Sequence, residues 1–395
     1  MTGATPLSPD DPRLAELAAQ WRSAYIHIPF CASVCPYCDF AVVAGQDELT
    51  DRYVTALISE IEMHPDWETL DAVFLGGGTP SRLSPALLQK VIDALRNKFG
   101  LSSDAEVSME VNPEDWDAAY AEDIAAGGIT RASFGAQSFD DDILERLGRN
   151  HRAHHITSAV EAARQQGLSV SLDLMFGEPS ESIESWARSV GSALDLGVAH
   201  LSMYALTVEK GTELSRLVLD GAEAPDEDDQ ADKYELAFEA VQAAGLVRYE
   251  VSNAASPGHV CRYNMSVWAQ GDYVSFGLGA HGHIGGVRRR NVRRLDRYLT
   301  EVEADRRPTA GEDRIKEWAA ELERLMLGLR RAAGVHMGVG GRTFVEASES
   351  APFFEREIIE IQDGRLVVLQ PLLTDSVIRE ILGLVDAGQI ESGDC

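Results

Sequence analysis

Six short apolar stretches, each followed by an amphipathic helical pattern, recur through the first two thirds of the chain. This alternation restricts the fold more than any other feature of the sequence. The stretches are Tyr25 to Phe30, Ala72 to Leu75, Glu106 to Val111, Arg131 to Gln137, Ser169 to Phe176 and His200 to Leu206. Strands separated by helices build a parallel sheet, because a parallel return needs a crossover that covers a sheet face. Ser84 before Pro85 and Pro113 before Glu114 mark two of the helix starts. Six units predict an α/β fold, a partial (β/α)6 barrel. A doubly wound open sheet is the alternative that periodicity alone does not separate.

The remaining chain reads differently. Glu223 to Asp229 is acidic and reads as a solvated loop before a helix near Asp232 to Ala244. Residues 246–310 read as connecting segments over the site, with one strand at Leu246 to Val251 and no clear periodicity afterwards. A helix near Asp313 to Arg331 comes next. Strands at Ile358 to Gln362 and Leu366 to Leu369 flank an Asp363-Gly364 turn, and a helix follows near Thr374 to Val385. The expected division is an N-terminal segment (1–24), a barrel (25–245), the connecting region (246–310) and a small winged-helix-like C-terminal domain (311–395).

Charge narrows the function classes. Thirty-five Lys and Arg stand against 64 Asp and Glu, a formal charge of −29, which argues against a protein built to hold nucleic acid phosphates. A hydrophobic content of 45% excludes wholesale disorder, and no apolar run reaches the ~18 residues of a membrane span. Met1 to Asp10 lacks a basic start and an apolar stretch, so a cytoplasmic protein with reduced cysteines is expected. There are five: Cys31, Cys35 and Cys38 crowd together, while Cys261 and Cys395 stand alone. An odd, clustered set suits metal chemistry better than disulfides.

The run Cys31-Ala-Ser-Val-Cys35-Pro-Tyr-Cys38 directly follows the first strand, so three soft ligands occupy one loop at a strand's C-terminal end, where barrels keep their chemistry. A structural zinc would want a fourth ligand, Asp39 or a distant histidine. A [4Fe–4S] cluster held by three cysteines leaves one iron open. Gly76-Gly77-Gly78-Thr79-Pro80 follows the second strand, where glycines let a ligand approach the backbone. Glu110, Gln137, Arg149 and Asp173 fall near later strand ends or in strands. A carboxylate such as Asp173 inside an apolar strand calls for a polar ligand or a partner.

Five blocks carry a specific resemblance: Tyr25 to Cys31, Cys38 to Phe40, Gly76 to Ser81, Ser133 to Phe139 and Tyr204 to Glu209, joined by Leu372 to Glu380. Together they resemble the coproporphyrinogen dehydrogenase-like branch of the radical S-adenosylmethionine (SAM) proteins, and within it most closely the HemW-like haem chaperones. The oxygen-independent coproporphyrinogen III oxidases of that branch usually carry a further cysteine two residues past the third, where this chain has Phe40, and a longer N-terminal extension. The resemblance implies that Cys31, Cys35 and Cys38 hold the cluster. It also implies that Tyr25, Tyr37, Gly77, Gly78, Thr79, Glu110, Gln137, Arg149 and Asp173 surround SAM. The expected cofactors are a [4Fe–4S] cluster, SAM and haem. The expected partners are haem-acceptor proteins and a low-potential electron donor. The oxidase and a radical methyltransferase of the same branch are the enzymatic alternatives.

One motif departs from the pattern. The haem chaperones share a His-Asn-x-x-Tyr-Trp motif, and here the corresponding run is Tyr263-Asn-Met-Ser-Val-Trp268. Tyr263 is therefore a possible haem ligand, with His259, Cys261, His281 and His283 as neighbouring donors. The basic run from Arg288 to Arg294 could pair with haem propionates or an acidic donor protein, but it reads first as a solvated face.

Overall fold

The computed structural model describes residues 6–386, so Cys395 lies outside the described residues. Six parallel strands follow one another in space as in sequence: β1 (Ser23–Ile28), β2 (Leu70–Gly77), β3 (Leu101–Val111), β4 (Arg131–Gln137), β5 (Ser169–Phe176) and β6 (His200–Ala205). Each is bonded to the next in parallel register, so the order never reverses as it would in a doubly wound sheet. The result is a curved, incomplete barrel. Its outward residues, such as Ile26, Val73, Leu172 and Leu174, are buried with Tyr53, Leu57, Val91 and Leu95 from α1 (Thr50–Glu62) and α2 (Pro85–Phe99). Glu110, Ser133, Asp173 and Met175 alternate with such residues and face inward.

The segment from 246 to 310 corrects the expectation of connecting loops. The predicted strand over Leu246 to Val251 shrinks to β7 (Val247–Arg248), and β8 (Asn253–Ala255) follows after a tight return. Tyr249 N–H donates to the Asn253 carbonyl, and the Glu250 carboxylate accepts from Ser252 N–H and the Asn253 amide, which bends the chain back. Three more strands, β9 (Tyr273–Phe276), β10 (His281–Ile284) and β11 (Val287–Asn291), extend the sheet beside β1, and β12 (Thr309–Arg314) completes it. β9 runs parallel to β1, with Tyr273 opposite Ser23. The full order is β12-β11-β10-β9-β1-β2-β3-β4-β5-β6-β8-β7.

Two boundaries also move. The acidic stretch begins a helix earlier than expected: α3 (Glu227–Ala243) is capped by Asp226, and Glu227, Asp228 and Asp229 favour the positive end of its dipole. Residues 313 and 314, read as helical, end β12, and the helix begins at Glu317. Beyond it, β13 (Val335–His336), β14 (Ile359–Gln362) and β15 (Arg365–Val368) form an antiparallel sheet in the order β13-β15-β14. Helices Glu317–Gly328, Gly338–Glu346 and Thr374–Asp386 pack on it around a separate apolar cluster that includes Leu325, Phe344, Leu366 and Ile381. Among the described residues, no helix is long and apolar enough to cross a membrane.

Candidate functional site

The loop after β1 is pinned from three sides. Gly78 N–H donates to the Ile28 carbonyl and Thr79 N–H to the Phe30 carbonyl, each at 2.8 Å, and Val43 N–H donates to the Pro29 carbonyl. This approach depends on glycine: Gly77 has φ +109° and a Cβ there would strike the His27 ring, while one on Gly78 would lie 2.6 Å from the Pro29 carbonyl carbon. From the third side, Leu214 N–H donates to the Pro36 carbonyl. Within the loop, Cys38 N–H closes a turn onto the Cys35 carbonyl, and all three cysteines are free and half-buried.

The thiols are mutually sensitive. Burial pushes Cys31 up to about 11, and negative charge on Cys38 and Cys35 adds to the shift, while a 3.5 Å hydrogen bond from Thr79 Oγ1 opposes it. Cys38 is raised in the same way. Among the described residues no group of three His, Cys, Asp or Glu side chains converges tightly enough to hold a single metal ion. A cluster spreads its thiolates over separate irons and does not ask for that convergence.

Behind the loop opens a cavity of about 680 Å³, a volume suited to a small cofactor. The three cysteines, Tyr37, Gly77, Gly78, Thr79, Glu110, Gln137, Arg149 and Asp173 all line it. Tyr25 does not. Its ring stacks on Phe74 at 6.3 Å and on Tyr263 at 5.8 Å, and its hydroxyl meets His27 Nδ1. Asn112, Ser133, Met175 and Tyr204 also line the cavity and were not singled out from sequence. The period of two gave a signal for Ser133 and Met175, which lie on the same strand faces as Gln137 and Asp173.

Charge inside the cavity is unbalanced in a useful way. Burial, helped by the nearby Asp173 charge, pushes the Glu110 carboxyl up to about 7, and its Oε2 accepts from Gly77 N–H at 3.0 Å. Asp173 is likewise raised by burial, although Ser133 Oγ donates to both its oxygens. Arg149 sits buried with its bonds on neutral groups: Nη2 donates to Asn112 Oδ1 at 2.6 Å and to the Gly135 carbonyl, and Nη1 reaches Cys35 Sγ at 3.6 Å. Its Nε has no partner. Its direct bonds go only to dipoles, with the Glu114 carboxylate of the same cavity wall near enough to favour its charge, which leaves a place for a further anion beside it. A thiolate-bound cluster and a ligand carboxylate can each take that place, so these residues fit the groups the motif implies. Gln137 at the end of β4 is held at φ +61°, an uncommon backbone state for a non-glycine residue, and it faces this cavity.

The residues named as possible haem donors do not come together. Tyr263 is wedged against Tyr25 and Phe74 (5.2 Å) and meets Tyr273 edge-on, and burial holds its phenol well above the ordinary range. Cys261 is buried, its thiol pushed up to about 12 by desolvation. His259 is exposed at the opposite end of the barrel, where its carbonyl accepts from Arg131 and its ring meets Ser169. His281 is exposed on β10, directly across from Arg290 of β11, while His283 turns toward Asp272. In the basic run, Arg288 pairs with Glu323, Arg289 with Glu312 and Arg294 with Asp296, and Arg293 Nη2 donates to the Asp39 carbonyl in the cysteine loop.

An incomplete parallel barrel with three cysteines at its mouth defines a radical SAM α/β protein, and the Radical SAM superfamily pattern matches residues 25–192. The chain is 37% identical over 323 residues to the heme chaperone HemW of Bacillus subtilis, covering 80% of this chain and 84% of that protein. It is 38% identical over 384 residues to HemW of Mycobacterium tuberculosis (strain ATCC 25618 / H37Rv), covering 94% and 97%. The chain therefore belongs to the HemW family. Among solved structures, coproporphyrinogen III oxidase (HemN) of Escherichia coli shares the fold at TM-score 0.81 and 20% identity, over 96% of each chain.

Proposed function

We propose that this protein is a haem chaperone that holds a [4Fe–4S] cluster and SAM at the barrel mouth, binds haem, and passes it to acceptor proteins. The observation that carries the reading is the near full-length similarity to proteins named heme chaperones, joined to a cavity whose buried Arg149 and three thiols suit a cluster. Cys31, Cys35 and Cys38 hold the cluster, which supplies one electron to a sulfonium ligand when loaded. Gly77, Gly78 and Thr79 offer backbone to the SAM amine, while Glu110, Gln137, Arg149 and Asp173 order the rest of the ligand. Tyr25 supports this wall from beneath through Phe74.

For haem, we assign His281 as the residue that would hold the iron. Its side chain reaches solvent, yet partial desolvation against the sheet and the charges of Arg290, Arg293 and Arg288 hold its imidazole below the usual range, so at neutral pH its ring nitrogens are free to bind iron. Arg290, directly across from His281, can pair with a propionate. Tyr263 keeps its phenol protonated inside a ring stack and serves packing.

The test is anaerobic reconstitution followed by haem titration, coproporphyrinogen turnover and assay for 5′-deoxyadenosine. Stoichiometric haem binding without porphyrinogen turnover, weakened in His281→Ala, is the expected result. Conversion of propionates to vinyl groups would replace the chaperone reading with the oxidase one, and methyl transfer to an aromatic acceptor would replace it with the methyltransferase one.

A further inference from the structure

Ten large apolar side chains are exposed among the described residues; Val34, Phe40 and Tyr204 belong to the cavity wall, and Val208, Leu217 and Leu219 to the segment after β6 that is bonded to the cysteine loop. Leu217 and Leu219 belong to the short helix Glu213–Leu219, which follows β6. No residue of this helix is fully buried. Its attachment runs through Leu214, whose N–H holds the Pro36 carbonyl and whose side chain packs with Tyr37, Met175, Ile143 and Leu206. The core thus needs Leu214 and leaves Leu219 in solvent at 85% exposure, while Phe40 in the cysteine loop is 64% exposed. Apolar groups gathered in one exposed place, instead of scattered, mark a contact surface.

The charges around this rim say what it contacts. Between Glu209 and Asp229 the chain carries eight carboxylates and two cations, and of these Asp229 is bound to Lys233. Glu209, Glu213, Asp220 and Glu223 are exposed. An anionic lipid surface is repelled by such a fringe, and so is a second copy presenting the same one. A protein with an apolar patch fringed by Lys and Arg is attracted and held in register.

We propose that the apolar rim formed by the cysteine loop and the helix Glu213–Leu219 is a docking surface for a partner protein with a basic-fringed apolar patch. Resting on the haem-chaperone reading above, that partner is the haem acceptor, held where the loaded face opens.

The test uses the full chain, loaded with cluster and haem, and fluorescence anisotropy with two labelled amphipathic helical peptides, one of Lys and Leu and one of Glu and Leu. The Lys/Leu peptide binds once per chain, and its affinity falls as salt rises. The Leu217→Ser, Leu219→Ser double variant weakens it about tenfold or more, as expected for losing two central apolar anchors. The Leu369→Ser, Leu372→Ser variant, altered at exposed residues of the C-terminal region, binds as the parent does, which separates the rim from general attraction to an acidic protein. Equal binding by the rim variant, equal loss in the C-terminal variant, or equal binding of the Glu/Leu peptide overturns the proposal. So does rim-dependent binding to phosphatidylglycerol vesicles or rim-dependent dimerisation in sedimentation. Haem titration of the same samples keeps the two readings apart: a parent chain that binds no haem refutes the chaperone function, while the peptide result still decides the docking surface.

Discussion

Binding of SAM should gain strength as pH rises through neutrality, and Glu110 is the reason. Its buried carboxyl is pushed up to about 7 by desolvation and by Asp173, while its Oε2 faces Gly77 N–H in the cradle proposed for the SAM amine. A cationic ligand favours the carboxylate, so binding must release the proton that the free site retains at low pH. With a site value of about 7, the ionised fraction climbs from about a tenth at pH 6 to about nine tenths at pH 8. Affinity should therefore rise about tenfold, or about 1.4 kcal/mol, and level off above that range. Equilibrium dialysis of SAM against cluster-loaded protein, kept free of oxygen, measures it. Glu110→Gln should bind weakly and keep only the slope that belongs to the ligand's own titration. Asp173→Asn removes the neighbouring negative charge and should move the midpoint down. A flat profile in the parent protein, or an equal slope in Glu110→Gln, refutes the assignment of Glu110 as the counter-charge.

Lys233 is fully buried, with Nζ donating to the Glu181 carbonyl and to Asp229 at 2.6 Å and lying 3.5 Å from Glu181 Oε2. Lys233→Met strands that carboxylate and should lower unfolding free energy in urea by about 3–5 kcal/mol, with Glu181→Gln recovering part of the loss; a loss within error contradicts this. Glu60 is raised from 4.5 to about 7 by burial, although Tyr298, Gly277 and Asn291 all donate to it. The unfolded chain gives up that proton first, so this group subtracts stability progressively between about pH 4.5 and 7, and the penalty is complete above that. Relative to Glu60→Gln, the parent should lose stability across that window, and parallel curves contradict the argument. Tyr263→Phe should leave the haem absorption spectrum unchanged, whereas Tyr263→Ala should cost about 3 kcal/mol of stability by emptying the ring stack. A shifted Soret band in Tyr263→Phe would return that residue to the ligand set.

Much of the barrel was legible because its signal is local. β4 and β5 run over Arg131–Gln137 and Ser169–Phe176, the very stretches that apolar periodicity picks out. β3 is longer than its apolar part because Leu101–Ala105 are more polar and partly exposed, so nothing in their pattern distinguishes them from a loop. The sheet extension was hidden for a related reason. β11 reads Val-Arg-Arg-Arg-Asn, without alternation, and owes its place to pairing with β10 and to Arg289 meeting Glu312 across β12. The three cysteines and the glycine turn announced the site because their chemistry is specific at short range. Asn112, Met175 and Tyr204 are ordinary residues whose role comes only from strand register. Tyr25 and Tyr263 show the converse: both sit in telling motifs, yet long-range stacking places them outside the cavity.

The proposed function requires that three thiols and a buried guanidinium enclose an iron–sulfur cluster with one corner open to SAM. Low-temperature electron paramagnetic resonance of the reconstituted, dithionite-reduced protein tests this directly. The expected result is a reduced cubane signal whose g values shift when SAM is added, lost in Cys31→Ser, Cys35→Ser or Cys38→Ser. A signal indifferent to SAM, or one that survives in those variants, contradicts it.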